Sequence, residues 1–296
     1  MTVLVTTRRY AYNRMGGRQV HLAVHRSALR RRSGMIRNDA GITLHANPDD
    51  ERGVLLAMTH GRLDRAAVVA WRRLARELKP DVALDVGANY GEVAFSTTYE
   101  GLRELHLVEP NPAILPWLRK TVTGVSHWPC AIHLHEGAAS NKAATLSLDA
   151  PAKYSGTMRV RAGGGGGTAV RGFRLDEEIA LRDGDRLLFR VDVEGFELPV
   201  LEGMAGLLKG RTFAGLCEVQ LADDDLIGYL GAHFDVSVVT GEREHAVDAA
   251  GLRRWIDAAR RSGWAGVQKD VIVRPATRNE GTVRSARLRP CHTLSG

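Results

Sequence analysis

Asp85-Val86-Gly87-Ala88-Asn89-Tyr90-Gly91-Glu92 decides how this chain is read. An apolar run, Val82 to Leu84, precedes it and Val93-Ala94-Phe95 follows, so the stretch reads as a strand, a tight glycine turn and a helix start. Glycines at 87 and 91 let the backbone approach a ligand, and Asp85 at the strand end offers a carboxylate to amine or hydroxyl donors. A carboxylate at that point suits a cationic cofactor better than a phosphate.

The next apolar run, Leu105 to Val108, ends in Glu109, where the tip of a second strand is expected. An acidic side chain at that tip binds a ribose diol through paired hydrogen bonds. A dinucleotide site wants Gly-x-Gly-x-x-Gly, whereas here Asn89 takes the middle position and the spacing is Gly-x-x-x-Gly. The cofactor these residues favour is therefore S-adenosylmethionine rather than NAD.

Upstream, Leu63 to Leu78 carries Ala66, Val69, Ala70, Leu74, Ala75 and Leu78 at helical spacing, and Pro80 ends it. Downstream, Pro110-Asn111-Pro112 breaks the strand and starts a helix through Leu118, and His127 to Leu134 is a third strand. His133 and His135 alternate on that strand and are read as sheet side chains, not as ligands. Glu136 to Asn141 reads as a loop of small residues, then Thr145–Leu148 with Thr157–Val160 suggests an inserted hairpin. The glycine run 163–167 behind it reads as a flexible loop, with Thr168 to Val170 extended.

The second informative stretch is Leu187-Leu188-Phe189-Arg190-Val191-Asp192-Val193-Glu194-Gly195-Phe196-Glu197, a buried strand with charges at its carboxyl end. Asp192 and Glu194 alternate and so share one side, where mutual repulsion raises the pKa of one and equips it to accept a proton. Asp192 is the preferred base, and Glu197 in the first turn of the next helix reads as a cap. Further strands at Phe213–Gln220, Phe234–Thr240 and Asp270–Val273 and helices at Asp223–Leu230 and Leu252–Arg261 complete an α/β, doubly wound, Rossmann-like sheet of about seven strands. Glu218 closes the first of these strands and adds a crevice carboxylate. Asp192, Glu194 and Glu218 could gather Mg²⁺, but carboxylates belong at strand tips in any case, so no metal is assigned.

The segments are a basic N-terminal extension at 1–40, a cover segment and helix at 41–78, a cofactor-binding domain at 79–275 and a basic tail at 276–296. The overall charge is +7, and the body between the arginine-rich ends is mildly acidic. That distribution argues against a broad phosphate-tracking face, although the ends could dock on an anionic partner. No run reaches the ~18 apolar residues of a membrane span. Three cysteines without metal spacing, Cys130, Cys217 and Cys291, point to reduced thiols and a cytoplasmic protein. The arginine-rich start also has the character of an organellar transit segment, a reading set below that of a plain extension. Oligomeric state is not readable.

Together these pieces resemble the FkbM-type family of S-adenosylmethionine-dependent O-methyltransferases. The likeness rests on residues 85–92, Val108-Glu109-Pro110-Asn111-Pro112, Ala138-Ala139-Ser140-Asn141, Leu175-Asp176, Val191 to Gly203 and Cys217-Glu218-Val219, in the family's order across roughly residues 80–220. It implies that Asp85, Gly87, Asn89 and Gly91 touch the methionine part, Glu109 the ribose with Asn111 beside it, and Ala138 or Ala139 the adenine. It also implies that Asp192 and Glu194 face the reaction centre, with a sugar, glycolipid or polyketide-type hydroxyl as acceptor. Arg190 stands where the family often has lysine, and Tyr90 is bulkier than the usual aliphatic residue. An RNA methyltransferase docking through the basic ends and an NAD-dependent oxidoreductase are the alternatives; the first lacks an Asn/Asp-Pro-Pro-aromatic turn after strand four, the second its middle glycine.

Overall fold

The computed structural model describes residues 17–149, 154–162, 166–240, 243–264 and 269–277. Residues 1–16, most of the basic tail, Cys291 and the first three residues of the glycine run, 163–165, lie outside them.

Chain order begins with helix α1 (Gly17–Arg31), the hairpin β1 (Met35–Arg37) and β2 (Thr43–His45), helices α2 (Glu51–Met58) and α3 (Arg65–Leu78), and strand β3 (Val82–Val86). The 1–40 segment is thus partly folded: Leu29 and Ile36 join the core, and the hairpin runs through the 40/41 boundary drawn from composition. Arginine content masked this because only a few apolar side chains are needed to pin a short helix against α2. Helix α3 starts at Asp64, whose carboxylate accepts from Ala67 N–H, and stops at Lys79, which turns left-handed before Pro80. Its buried face is Ala67, Val68, Ala70, Trp71, Leu74 and Ala75, while Val69 is exposed. The face expected from aliphatic spacing is rotated because Trp71, fully buried, sets it; truncating such a residue costs about 3–5 kcal/mol.

After β3 comes a correction. The glycine turn leads only into one 3₁₀ turn, Ala94–Ser96, and not into a helix, so no helix dipole points at the crevice from here. Strand β4 (Glu104–Glu109) ends at Glu109 as expected, and helix α4 (Leu115–Gly124) begins three residues later than Pro112 suggests, after a turn capped by Asn111 Oδ1 on Ala113 N–H. Strand β5 (Ala131–Glu136) follows. The insertion is larger than a hairpin: β6 (Ala138–Ala139), β7 (Ala144–Asp149), β8 (Arg159–Ala162) and β9 (Thr168–Phe173) form a four-stranded sheet in the order β6-β9-β7-β8. Thr157 lies in a 3₁₀ turn before β8.

The remainder is α5 (Leu175–Glu178), β10 (Leu187–Val191), α6 (Glu197–Gly203), α7 (Ala205–Leu208), β11 (Phe213–Glu218), α8 (Asp224–His233), β12 (Phe234–Thr240), β13 (Arg243–Val247), α9 (Ala249–Arg261) and β14 (Asp270–Pro275). The main sheet has eight strands in the order β13-β12-β14-β11-β10-β3-β4-β5, one more than expected because β13 adds an outer hairpin strand. Within it β5, β4, β3, β10 and β11 pair in parallel, and β14 runs antiparallel to β11 and β12.

Both sheet faces are covered, which is why its strands read as continuous apolar runs. Leu84 and Val86 face one core with Phe189, Val191 and Leu201, while Ala83 and Leu188 face the other with Trp71 and Leu74. The chain runs outward from β3 to β5 and then returns to place β10 on the other flank of β3. The β3/β10 boundary is therefore the topological switch point, where doubly wound sheets open a crevice at the carboxyl ends of their strands.

Candidate active site

Gly87 follows β3 and Asp192 follows β10 at that switch point. Asp192 N–H donates to Val86 O at 3.0 Å, and a Cβ built on Gly87 (φ 84°) would stand 1.9 Å from Asp192 O. Gly87 is required by this close backbone crossing. Gly91 (φ 81°) is required by the Phe95 ring, 2.5 Å from where its Cβ would be. Beside them opens a cavity of about 360 Å³, within the range of small-molecule sites, lined by Gly87, Asn89, Glu109, Asp192, Glu194 and Glu218 together with Arg52, Asp64, Tyr154, Ser155, Met158 and Lys269.

Five of the expected site residues thus share one cavity, and five do not reach its wall. Asp85 is fully buried and held by Arg190, with Nη1 3.4 Å from Oδ1, while its Oδ2 has no hydrogen-bond partner. Gly91 packs under Phe95. Asn111 works behind Glu109, its N–H donating to Glu109 Oε1 at 2.8 Å. Ala138 and Ala139 are buried in β6, paired with Gly172 and Phe173. Small residues there serve strand packing because the insertion that follows needs a sheet to grow from.

Glu109 is almost fully buried, and Asn89 N–H donates to its Oε2 at 2.8 Å. Burial drives its pKa up to about 7, opposed by these two backbone donors. Each oxygen keeps a lone pair for a hydroxyl, so a vicinal diol is the ligand group this carboxylate fits.

The opposite corner is crowded with acids around one cation. Arg190 is buried, hydrogen-bonded to Asp192 through Nη2, and lies 3.6 Å from Asp64 Oδ2 as well as against Asp85. Burial alone would lower its pKa, but Asp192, Asp85, Asp270 and Asp64 raise it well above the usual value. Asp192 shows the reverse: burial works against ionisation, yet Arg190 and a hydrogen bond from Glu218 hold its pKa below the usual value. Glu218 is pushed up to about 11 by burial and by Asp192 and Glu194, so it keeps its proton. Glu194 is brought to about 7 by burial and Asp192.

These values correct the expected division of labour. Repulsion does raise one of the pair, but the raised carboxylate is Glu194; Asp192 is the ionised member because Arg190 turns towards it, a contact that no sequence spacing announces. The pair does meet in one crevice, although by a bend rather than strand alternation: β10 ends at Val191 and Glu194 adopts φ 54°. A non-glycine residue there is strained, a conformation that recurs where function over-determines the backbone. Glu197, read from the sequence as a helix cap, instead braces the bend before the helix, accepting Gly195 N–H at 2.9 Å and Val193 N–H at 3.3 Å, and the helix has no side-chain cap bond.

The rim was not legible. Ser155, from the 3₁₀ turn before β8, donates its hydroxyl to Asp50 Oδ2 at 2.6 Å and its N–H to Asp50 Oδ1 at 3.0 Å. Tyr90 hydroxyl donates to the same Oδ2 at 2.7 Å, and Asn89 Nδ2 donates to Ser155 Oγ at 3.3 Å. The bulk of Tyr90 is thereby explained: its hydroxyl ties the glycine turn to the cover segment and the insertion. Arg52 of α2 reaches in beside them, 3.4 Å from Glu92 Oε2.

No curated protein matches the chain. Among solved structures it is similar to a methyltransferase from Geobacter sulfurreducens, with 12% identity over 76% of this chain and 86% of that one and a TM-score of 0.42. It is also similar to precorrin-6y C5,15-methyltransferase from Geobacter metallireducens, with 13% identity over 74% and 90% and a TM-score of 0.38. The methyltransferase FkbM domain matches residues 85–248, from the glycine turn to the start of α9 and more than half of the chain. The chain belongs to the FkbM family of methyltransferases.

Proposed function

We propose that this methyltransferase uses S-adenosylmethionine to methylate a hydroxyl oxygen of a small molecule, of the sugar, glycolipid or polyketide type. The observation that carries the cofactor is Glu109, a buried carboxylate held by two backbone N–H groups and lining a cavity at the switch point. When bound, the cofactor supplies an electrophilic methyl on a sulfonium centre.

Glu109 would take the ribose hydroxyls, with Gly87 and Asn89 against the methionine side. Glu194 would accept the acceptor's proton, since a base with pKa near 7 combines a useful ionised fraction with real proton affinity. Asp192, kept ionised by Arg190, would add negative potential where a cation binds, and Glu218 would donate its proton to Asp192 and hold it in place. Proximity supplies most of the acceleration, the cavity orienting two substrates that otherwise meet by diffusion. The acidic lining of Asp64, Asp192 and Glu194 disfavours a polyphosphate acceptor such as RNA.

Calorimetry of S-adenosylmethionine and S-adenosylhomocysteine against the wild type and Glu109→Ala, with NADH as the control, tests the cofactor. Micromolar binding of both sulfur ligands, lost in the variant, is expected; silence, or a response to NADH alone, would overturn the reading. A hydroxyl-acceptor screen would then follow, with Glu194→Gln and Asp192→Asn as catalytic variants.

A further inference from the structure

Far from the cavity, the start of β4 and the edge strand β5 bring together side chains that the methyltransferase reading leaves unused. In the parallel register His106 stands directly opposite His133, and Glu104 lies two residues back on the same face of β4. His106 Nε2 is 3.2 Å from Glu104 Oε2 and His133 Nε2 is 4.0 Å from the same oxygen, with all three ligand atoms within 4.8 Å of one another. The other ring nitrogen of His106, Nδ1, meets His135 Nε2 at 2.9 Å.

Two imidazoles and a carboxylate are a donor set that a borderline ion such as Zn²⁺ accepts and that Mg²⁺ or Ca²⁺, which take oxygen, do not prefer. Tetrahedral bonds of ~2.0–2.2 Å put neighbouring ligand atoms about 3.3–3.6 Å apart, and the separations of 3.2 and 4.0 Å bracket that span. The rings of His106 and His133 stack with centroids 4.7 Å apart, so coordination needs His133 to tilt its edge inward. Its side chain is 46% exposed on an edge strand, where that motion is open to it. His106 is buried and cannot drift, and His135 would receive its Nδ1 proton, the outer hydrogen bond that fixes a ligating histidine's tautomer. Arg103, the nearest cation, lies 3.7 Å from the opposite oxygen of Glu104 and is engaged by both oxygens of Asp185.

We propose that Glu104, His106 and His133 form a zinc-type metal site that clamps the edge strand β5 to β4, with His135 orienting His106 and water completing the coordination. The site lies towards the opposite end of the strands from the cofactor crevice, so its role is to secure the sheet edge and not to take part in methyl transfer.

The test is titration of the chelator-treated full chain with Co²⁺ and Zn²⁺. One Co²⁺ per chain with the intense visible bands of a four-coordinate nitrogen and oxygen site is expected, displaced by Zn²⁺, together with a higher thermal midpoint in Zn²⁺. His133→Ala should weaken binding at least about 100-fold and abolish the thermal shift, while S-adenosylhomocysteine binding stays unchanged. Glu104→Gln serves the same purpose should His133→Ala fail to fold, with a loss of about 10-fold or more. Absence of Co²⁺ binding, or binding and bands unaltered in both variants, would overturn the proposal; the latter would assign the ion elsewhere, such as to the crevice carboxylates.

Discussion

Glu109 and Glu194 sit at opposite corners of one cavity and are both driven by burial to about 7, yet their surroundings differ in kind. Glu109 ends a regular strand and is fixed by two main-chain N–H groups, which would be there whatever the side chains around it. Glu194 stands on a strained bend, and what surrounds it is side-chain charge: Asp192 and Glu218 against it, with Lys269 and Arg52 as the opposing cations. Backbone donors make a rigid acceptor for hydroxyls, whereas a cluster of competing acids makes a group whose proton moves. On the proposed function, one corner is for binding and the other for chemistry.

The severest way to break this comparison is to remove the cation that permits the acidic corner. Arg190→Met would leave Asp85 and Asp192 buried against each other, and stripping one partner from a buried charge cluster costs about 3–5 kcal/mol. Denaturant unfolding should show that loss, with Arg190→Lys in between. A variant as stable as the wild type would mean that the acids simply take up protons and that Arg190 is not the keystone.

Glu194→Gln should lower kcat by about 100-fold with little change in cofactor affinity, because it removes a proton acceptor and not a ligand contact. In the wild type, kcat should rise with pH through about 7 as Glu194 ionises, and the variant should lose that rise. An unchanged profile would move the base elsewhere.

Glu109 answers differently. Hydroxyl donors favour its charged form, so cofactor binding near neutral pH should release a proton, visible as a dependence of the calorimetric heat on buffer ionisation enthalpy. Glu109→Gln should weaken binding about 10-fold and release none. Both carboxylates also bind protons more tightly folded than unfolded, so their contribution to stability is full below the ordinary carboxylate range and is lost as pH rises through about 7. Glu109→Gln and Glu194→Gln should each therefore flatten part of a fall in the ligand-free melting temperature between about pH 5 and 7, and a pH dependence unchanged in both variants would contradict both assignments.

The first corner was legible because its determinants are local. Strand, turn and strand tip follow closely in sequence, and Glu109 is held by Asn111 two residues on and by Asn89 in the glycine turn that the same motif contains. Even there the helix after Gly91 was misjudged, since Val93-Ala94-Phe95 is apolar enough to start one but turns into the core as a single 3₁₀ turn. The second corner was legible in its membership only. That Asp192, Glu194 and Glu218 meet follows from their places at strand ends, but which of them keeps a proton depends on Arg190, one strand residue among apolar ones, and on distances that no spacing encodes. The rim was illegible because Arg52, Ser155 and Asp50 come from segments whose positions are set by tertiary contact.

That rim supplies the smallest expected effect. Ser155 and Tyr90 both donate to Asp50 Oδ2, and Ser155 also accepts from Asn89, so one buried carboxylate joins cover, glycine turn and insertion. Ser155→Ala removes one of two hydroxyl donors and should cost about 1 kcal/mol of stability, with cofactor KM raised a few-fold and kcat nearly unchanged. Tyr90→Phe should behave alike. The double variant is the sharper case: with both hydroxyls gone, Oδ2 is left buried and unpaired, so the combined loss should exceed the sum of the single losses by about 1 kcal/mol or more. Strict additivity would mean that the donors act separately, and the rim would then be three segments that happen to touch, leaving cofactor retention to the Glu109 corner alone.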